Sequence, residues 1–264
     1  MCVAGPLLGV VHLRPLPASA GHVSMESVVE HALADARALA AGGCDGAIVE
    51  NFGDAPFRKG TRGDPVSPDV PAALAIVADR IRREVGLPVG INCLRNDGLA
   101  ALGAAAASNA RWVRVNVLSG AYVTDQGVVE GEAAAIAAFR RQLRSDVLVL
   151  ADFLVKHAVP LAPVDVVSAA KDLAERSGAH GLVLSGRRTG EAAAVELFDT
   201  VRAAVGTFPV WIGAGLTPDN ASMLWPRCDG AIVGTALKAG GDVHAPVDVE
   251  RVRALRRACP ASTR

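Results

Sequence analysis

Short apolar runs recur along the chain, and each stops at a polar residue or a glycine before a stretch of helical periodicity. The first four are residues 7–11 ending at His12, 46–49 at Glu50, 88–91 at Asn92 and 112–115 at Asn116. The last four are residues 147–151 ending at Asp152, 181–184 at Ser185, 210–212 at Gly213 and 230–233 at Gly234. Runs of this length, rich in Val, Ile and Leu, suit strands covered by helices on both sides of a parallel sheet. Strand and helix in alternation imply parallel strands joined by right-handed crossovers. Eight such units, with no early GxGxxG turn, favour a closed (β/α)8 TIM barrel over an open doubly wound sheet.

The helix boundaries carry their own signals. Ser24 precedes a helix over 25–41, and Gly42 follows it. Ser67-Pro68 predicts an N-cap with proline at the first helical position, and Gly86 a stop. Asp165 opens a helix over 166–177, and Thr189 or Gly190 opens one over 191–205. Thr217-Pro218 starts a short helix that Pro226 ends, and Asp248 starts the last. Further helices fall near 98–107 and 131–143. Segments 51–66 and 118–131 are long for βα connections, which predicts lids or binding loops on the catalytic face.

Strand parity says what points inward, because successive side chains alternate between faces. In the fourth run the valines at 113, 115 and 117 suit the helix-covered face. Trp112, Arg114 and Asn116 then face the barrel interior. A buried arginine needs a carboxylate or a bound anion, and Glu50 or Asp152 is the expected partner. The same reasoning puts His12 in line with Leu8 and Val10, Glu50 with Ile48, and Asp152 with Leu148 and Leu150. Asn92 falls opposite Val89, Ile91 and Cys93. A purely structural core would be apolar at this level. A ring of His12, Glu50, Asn92, Arg114, Asn116 and Asp152 therefore points to a functional site.

The last strands end differently, in Trp211-Ile212-Gly213-Ala214-Gly215 and Ile232-Val233-Gly234-Thr235. Barrels often bind phosphate between these two loops, where glycines let backbone N–H groups approach an anion. Ser185-Gly186 and Thr189-Gly190 are candidates for the same pocket. The alternative is that these glycines only permit tight turns.

Length and composition narrow the field. A chain of 264 residues without a Pro/Ser-rich linker fits one barrel domain over 1–264, and about 250 residues is typical. Twenty-seven basic against 27 acidic residues give zero formal net charge, which argues against a nucleic-acid partner. The basic run over 251–257 reads as the solvated face of the last helix. No apolar run approaches the roughly 20 residues of a membrane span, and the N-terminus lacks the basic region of a signal peptide. Cys2, Cys44, Cys93, Cys228 and Cys259 show no CxxC spacing, which predicts reduced thiols in a cytoplasmic protein. A homo-oligomer is left open.

The candidate chemistry centres on His12, His157 and Glu50 as general acid/base groups. If the fifth strand stays extended, Lys156 shares the face of Asp152. It is then an anion clamp, a partner for a carboxylate, or a nucleophile toward a carbonyl. No organic cofactor is expected. A divalent metal is an alternative, with His12, Glu50, Asp54, Asp97, Asp152 and His157 as available ligands. The first strand, however, lacks a His-x-His pair.

These stretches together resemble one family. They are Val11-His12-Leu13-Arg14-Pro15-Leu16-Pro17, Val49-Glu50-Asn51-Phe52-Gly53-Asp54-Ala55-Pro56-Phe57 and Leu94-Arg95-Asn96-Asp97. To these add Arg114-Val115-Asn116-Val117, Thr124-Asp125-Gln126-Gly127, Val155-Lys156-His157 and Val233-Gly234-Thr235-Ala236-Leu237-Lys238. The resemblance is to the BtpA/SgcQ family and runs over nearly the whole chain. It implies a barrel of the ribulose-phosphate-binding type. It also implies either sugar metabolism or a role tied to photosystem I biogenesis, with no reaction attached.

Two functions follow as expectations. The first is an enzyme acting on a small phosphorylated, sugar-like compound by isomerase or lyase chemistry. Glu50, Asp152 and His12 would serve as acid and base, and Lys156 as electrophile or clamp. Asn51, Asn92, Arg95, Asn96, Arg114, Asn116 and His157 would orient the substrate, with Asp54 and Asp97 serving a loop-closed state. Ser185, Gly186, Gly213, Gly215, Gly234 and Thr235 would hold the phosphate. Glu50→Gln or Asp152→Asn should then abolish turnover with the fold intact. The second is a non-catalytic assembly or stability factor, whose function would survive loss of the polar ring.

Overall fold

The eight apolar runs all become strands, and their inward side chains explain why the sheet closes. A computed structural model describes residues 5–186 and 190–260. The first half of the chain contains β1 (Leu7–His12), α1 (Met25–Gly42), β2 (Gly46–Glu50), α2 (Asp69–Glu84), β3 (Val89–Asn92), α3 (Gly98–Ser108) and β4 (Trp112–Val115). Next come β5 (Ala121–Thr124), β6 (Gly127–Glu130), α4 (Ala133–Gln142), β7 (Leu148–Phe153), β8 (Ala158–Pro160) and α5 (Val166–Arg176). The remainder is β9 (Gly181–Leu184), α6 (Val195–Val205), β10 (Val210–Ile212), α7 (Ala221–Leu224), β11 (Ala231–Val233) and α8 (Val249–Ala258). Strands β1-β2-β3-β4-β7-β9-β10-β11 form a parallel barrel, and β11 pairs back onto β1.

Two apolar layers hold it. Outward strand residues such as Val11, Ile91, Val113 and Leu182 pack under the helices. The inward set is Leu8, Val10, Ile48, Trp112, Leu150, Val183, Trp211 and Ile232. The two tryptophans fit because small residues face them. A Cβ at Gly90 would lie 3.0 Å from the Trp112 Cβ, and one at Gly230 would lie 2.6 Å from the Trp211 ring. The base of the barrel interior is thus a packed plug.

The predicted helix starts hold at Ser24, Asp165 and Asp248, whose side chains each accept a bond from a first-turn amide. Other boundaries differ. Gly42 is the last residue of α1, with Gly43 as its left-handed cap, and α7 begins at Ala221 rather than at Thr217-Pro218. The Ser67 hydroxyl bonds the Asp69 carboxylate, and α2 begins at Asp69. Pro226 lies inside a 3₁₀ turn, Trp225–Arg227, that continues α7. The helix expected from 191 begins at Val195; Thr189 lies outside the described residues.

Segment 118–131 is not an irregular loop. It folds into the hairpin β5–β6, and β8, from the loop after β7, adds antiparallel to β5. Val117, Val129 and Val155 pack beneath this small sheet. The sheet therefore ties the loops after β4 and β7 together on the face where the barrel opens.

Candidate functional site

The last inward position of each strand forms one layer at the barrel mouth. Glu50 on β2 and Asn92 on β3 are adjacent in register, and Asn92 Nδ2 donates to Glu50 Oε2 at 2.7 Å. On the other side of Glu50, His12 Nε2 lies 3.9 Å from Oε1. Arg114 on β4 donates from Nε and Nη2 to the two carboxylate oxygens of Asp152 on β7, at 2.8 and 3.1 Å. Of the two partners expected for Arg114, Asp152 is the one it pairs with. Asn116 Nδ2 also donates to Asp152, at 2.8 Å. All six predicted ring residues are brought together, and all are buried or nearly so.

Several polar atoms in this layer have no protein partner among the described residues: His12 Nδ1, Asn92 Oδ1, Asn116 Oδ1 and Ser185 Oγ. Buried polar atoms are seldom left so without a functional reason or a bound molecule. Burial lowers the His12 pKa to about 4, with Glu50 pulling the other way. His12 is therefore a neutral imidazole at neutral pH.

Lys156 reaches the site by a route that parity did not foresee. The strand stops at Phe153, and the backbone at Leu154 and His157 has φ of 53° and 56°. Lys156 still lines the cavity, where burial, and Arg114 next, lower its pKa to about 8. Its carbonyl accepts from Arg95 Nη2 at 2.8 Å. His157 lines the same cavity.

Four other predicted residues act on the backbone behind the site. Asn51 accepts from Leu94 N at 2.7 Å and donates to Asp54 at 3.0 Å. Asp54 accepts from Leu16 N and from the Ser19 hydroxyl. Asn96 makes paired bonds with the backbone N–H and carbonyl of Val117. Asp97 caps α3 and accepts from Val66 N. The structure places all four as loop braces. Among the described residues no three His, Cys, Asp or Glu side chains converge as metal ligands, and Asp54 and Asp97 are engaged by these bonds.

Two contiguous cavities open here. The larger, about 350 Å³, is walled by Glu50, Asn92, Arg95, Arg114, Asn116 and Lys156, with Phe52 and Phe57 as apolar faces. The smaller, about 170 Å³, runs between the ends of β10 and β11 and is lined by Gly213, Gly215, Gly234 and Thr235. Glu50, Phe52, Arg114 and Lys156 line both. A Cβ at Gly213 would sit 2.5 Å from Ser185 Oγ and 3.1 Å from Arg114 Nη2. Gly186 instead closes the neighbouring loop, donating to the Glu191 carbonyl.

Sequence reasoning missed Phe52, Phe57 and Arg251. Phe52 packs against His12 in a tilted contact with ring centroids 4.7 Å apart. Arg251, assigned to a solvated helix face, lines the glycine cavity and donates from Nε to the Ala236 carbonyl at 2.9 Å. The one available signal was its position three residues beyond the Asp248 cap. There a long side chain can reach back over the end of β11.

The fold and mouth define a single-domain (β/α)8 barrel with a polar ring and a glycine-lined recess. The BtpA family model matches residues 3–260, and the chain belongs to that family. It is 45% identical over 251 residues to the photosystem I biogenesis protein BtpA of Synechocystis sp., covering 95% of this chain and 86% of that protein. It is 43% identical to an uncharacterized protein of Pyrococcus furiosus, covering 96% and 94%. Similar solved structures include thiamine phosphate pyrophosphorylase from Pyrococcus furiosus (TM-score 0.57, 15% identity, covering 96% of this chain and 95% of that one). N-(5'-phosphoribosyl)anthranilate isomerase from the same organism has TM-score 0.56 and 13% identity, covering 96% and 98%. These likenesses establish the fold. No helix among the described residues is long and apolar enough to cross a membrane.

Proposed function

We propose that this protein is an enzyme acting on a small phosphorylated, sugar-like metabolite by acid/base isomerase or lyase chemistry. The observation that carries this reading is the joining of two cavities over Glu50. One is rimmed by charged groups and the other by glycines. In it, the glycine turns and Arg251 hold the phosphate, because backbone amides and a guanidinium suit an oxyanion. The rest of the ligand then extends over the polar ring.

Glu50 is the general base in this proposal. The bond from Asn92 fixes one of its oxygens and leaves the other toward His12. A carboxylate so placed can take a proton from a carbon next to a carbonyl. Arg114 and Lys156 supply positive charge for the oxyanion that develops. A neutral His12 can return or relay the proton. The fold neighbours named for phosphorylated compounds are consistent with this, but the argument rests on the cavity.

A second reading, an assembly factor, has one observation in its favour besides the name of the Synechocystis relative. Val128, Val123 and Val159 lie side by side across β6, β5 and β8, and all three are exposed. Complementation of a deletion strain separates the two readings. The enzyme reading predicts that Glu50→Gln fails and Val123→Ser with Val159→Ser succeeds. The opposite pattern supports the assembly factor.

A further inference from the structure

Arg95 and Lys156 place two positive charges on the wall of the larger cavity. Neither has a carboxylate within ion-pair distance among the described residues. Arg114 is paired with Asp152, while Glu50 is bonded by Asn92, lies near the neutral His12 and attracts Lys156 and Arg95 across the cavity without bonding either. Asp125 also borders this cavity, but it sits on the exposed hairpin tip and accepts from Gln126 at 2.6 Å. Arg95 is only 8% exposed, and its one side-chain hydrogen bond among the described residues is to a carbonyl. Asp152, Asp125 and Glu50 attract the guanidinium from a distance, but no carboxylate among the described residues bonds it. A buried guanidinium without a direct counter-ion is costly to keep, and a planar fork of donors suits an acidic group on a ligand.

We propose that the substrate carries a second acidic group, a carboxylate or a second phosphate, seated against Arg95 and Lys156. The inference rests on the phosphate reading given above. Because Glu50, Phe52, Arg114 and Lys156 line both cavities, one molecule spans them. Its phosphate lies at the glycine turns, its second anion at Arg95, and the carbons between them over Glu50. The substrate class is thereby narrowed to phosphorylated sugar acids and sugar bisphosphates. Burial, which lowers the pKa of both Arg95 and Lys156, is consistent with a site that awaits an anion.

Calorimetric titration with simple phosphonates tests this without knowledge of the reaction. The probes are alkyl phosphonates of increasing length, the same chains ending in a carboxylate, and the same chains ending in a second phosphonate. At one or more lengths a doubly acidic probe should bind at least about tenfold tighter than its alkyl counterpart. Arg95→Met should erase that advantage, weakening the doubly acidic probe at least about tenfold more than its alkyl counterpart, while Arg95→Lys should keep part of it. If Arg95→Met does not fold, the wild-type comparison and Arg95→Lys decide. Alkyl phosphonates that bind with no gain from a second acid at any length would overturn the second-anion site and leave the phosphate reading standing. Failure of every probe to bind would remove both.

Discussion

Arg114 holds Asp152 through two hydrogen bonds inside the barrel, and both side chains are almost wholly buried. Burial works against the arginine's charge, but Asp152 outweighs it and raises the Arg114 pKa. The pair spans β4 and β7, the two strands whose following loops build the small sheet. It is a scaffold for the mouth, and its Arg114 borders the larger cavity.

Removing one partner strands the other charge in a dry interior. Asp152→Ala should therefore lower the unfolding free energy by about 3–5 kcal/mol, measured by urea denaturation. An unchanged midpoint would contradict the pairing. This revises the expectation that Asp152→Asn spares the fold, since any loss of turnover there would mix chemistry with a weakened scaffold. Glu50→Gln is the cleaner variant, because an amide can still accept from Asn92.

His12 gives a pH signature. Its pKa falls from about 6.5 unfolded to about 4 folded, so the folded state binds fewer protons between these values. Stability should be full above about pH 6.5 and decline as pH falls, by on the order of 3 kcal/mol at pH 4. Replacing His12 with Phe should flatten that decline. A His12 imidazole signal in NMR, identified by its absence from the Phe variant, that titrates near 6.5 would refute the assignment.

The glycine recess is open to a steric test. A Cβ at Gly213 would crowd Val183, Ser185 and Arg114, and one at Gly234 would lie 3.0 Å from His12 Cε1. Gly213→Ala should weaken inorganic phosphate binding at least about tenfold, read by calorimetry, and Arg251→Met should weaken it less. Equal affinity in all three proteins would place the phosphate elsewhere.

Much of this was legible in the sequence because barrel strands are short and alternate strictly. Valines at 113 and 115 facing the helices left Arg114 nowhere to point but inward, and the inward register of Glu50, Asn92 and Asp152 followed by the same rule. Contacts across long sequence separation were not legible. Nothing in residues 118–131 reveals that β5 will accept β8, because pairing is decided by where the two loops meet. Lys156 was placed correctly by a wrong route, since left-handed backbone at Leu154 and His157 is uncommon for residues other than glycine. Asn96 and Asp97 read as ligand-binding groups, yet their side chains satisfy backbone amides, a use that composition does not distinguish from recognition.

In the function proposed, Glu50 performs proton transfer on a phosphorylated ligand held at the mouth. The direct measurement is phosphorus NMR of a panel of phosphorylated sugars, sugar acids and sugar bisphosphates incubated with the protein. The account predicts that one resonance is replaced by another with the wild-type protein and persists with folded Glu50→Gln. Conversion at the same rate by both proteins, or a panel left unchanged by the wild type, would contradict it.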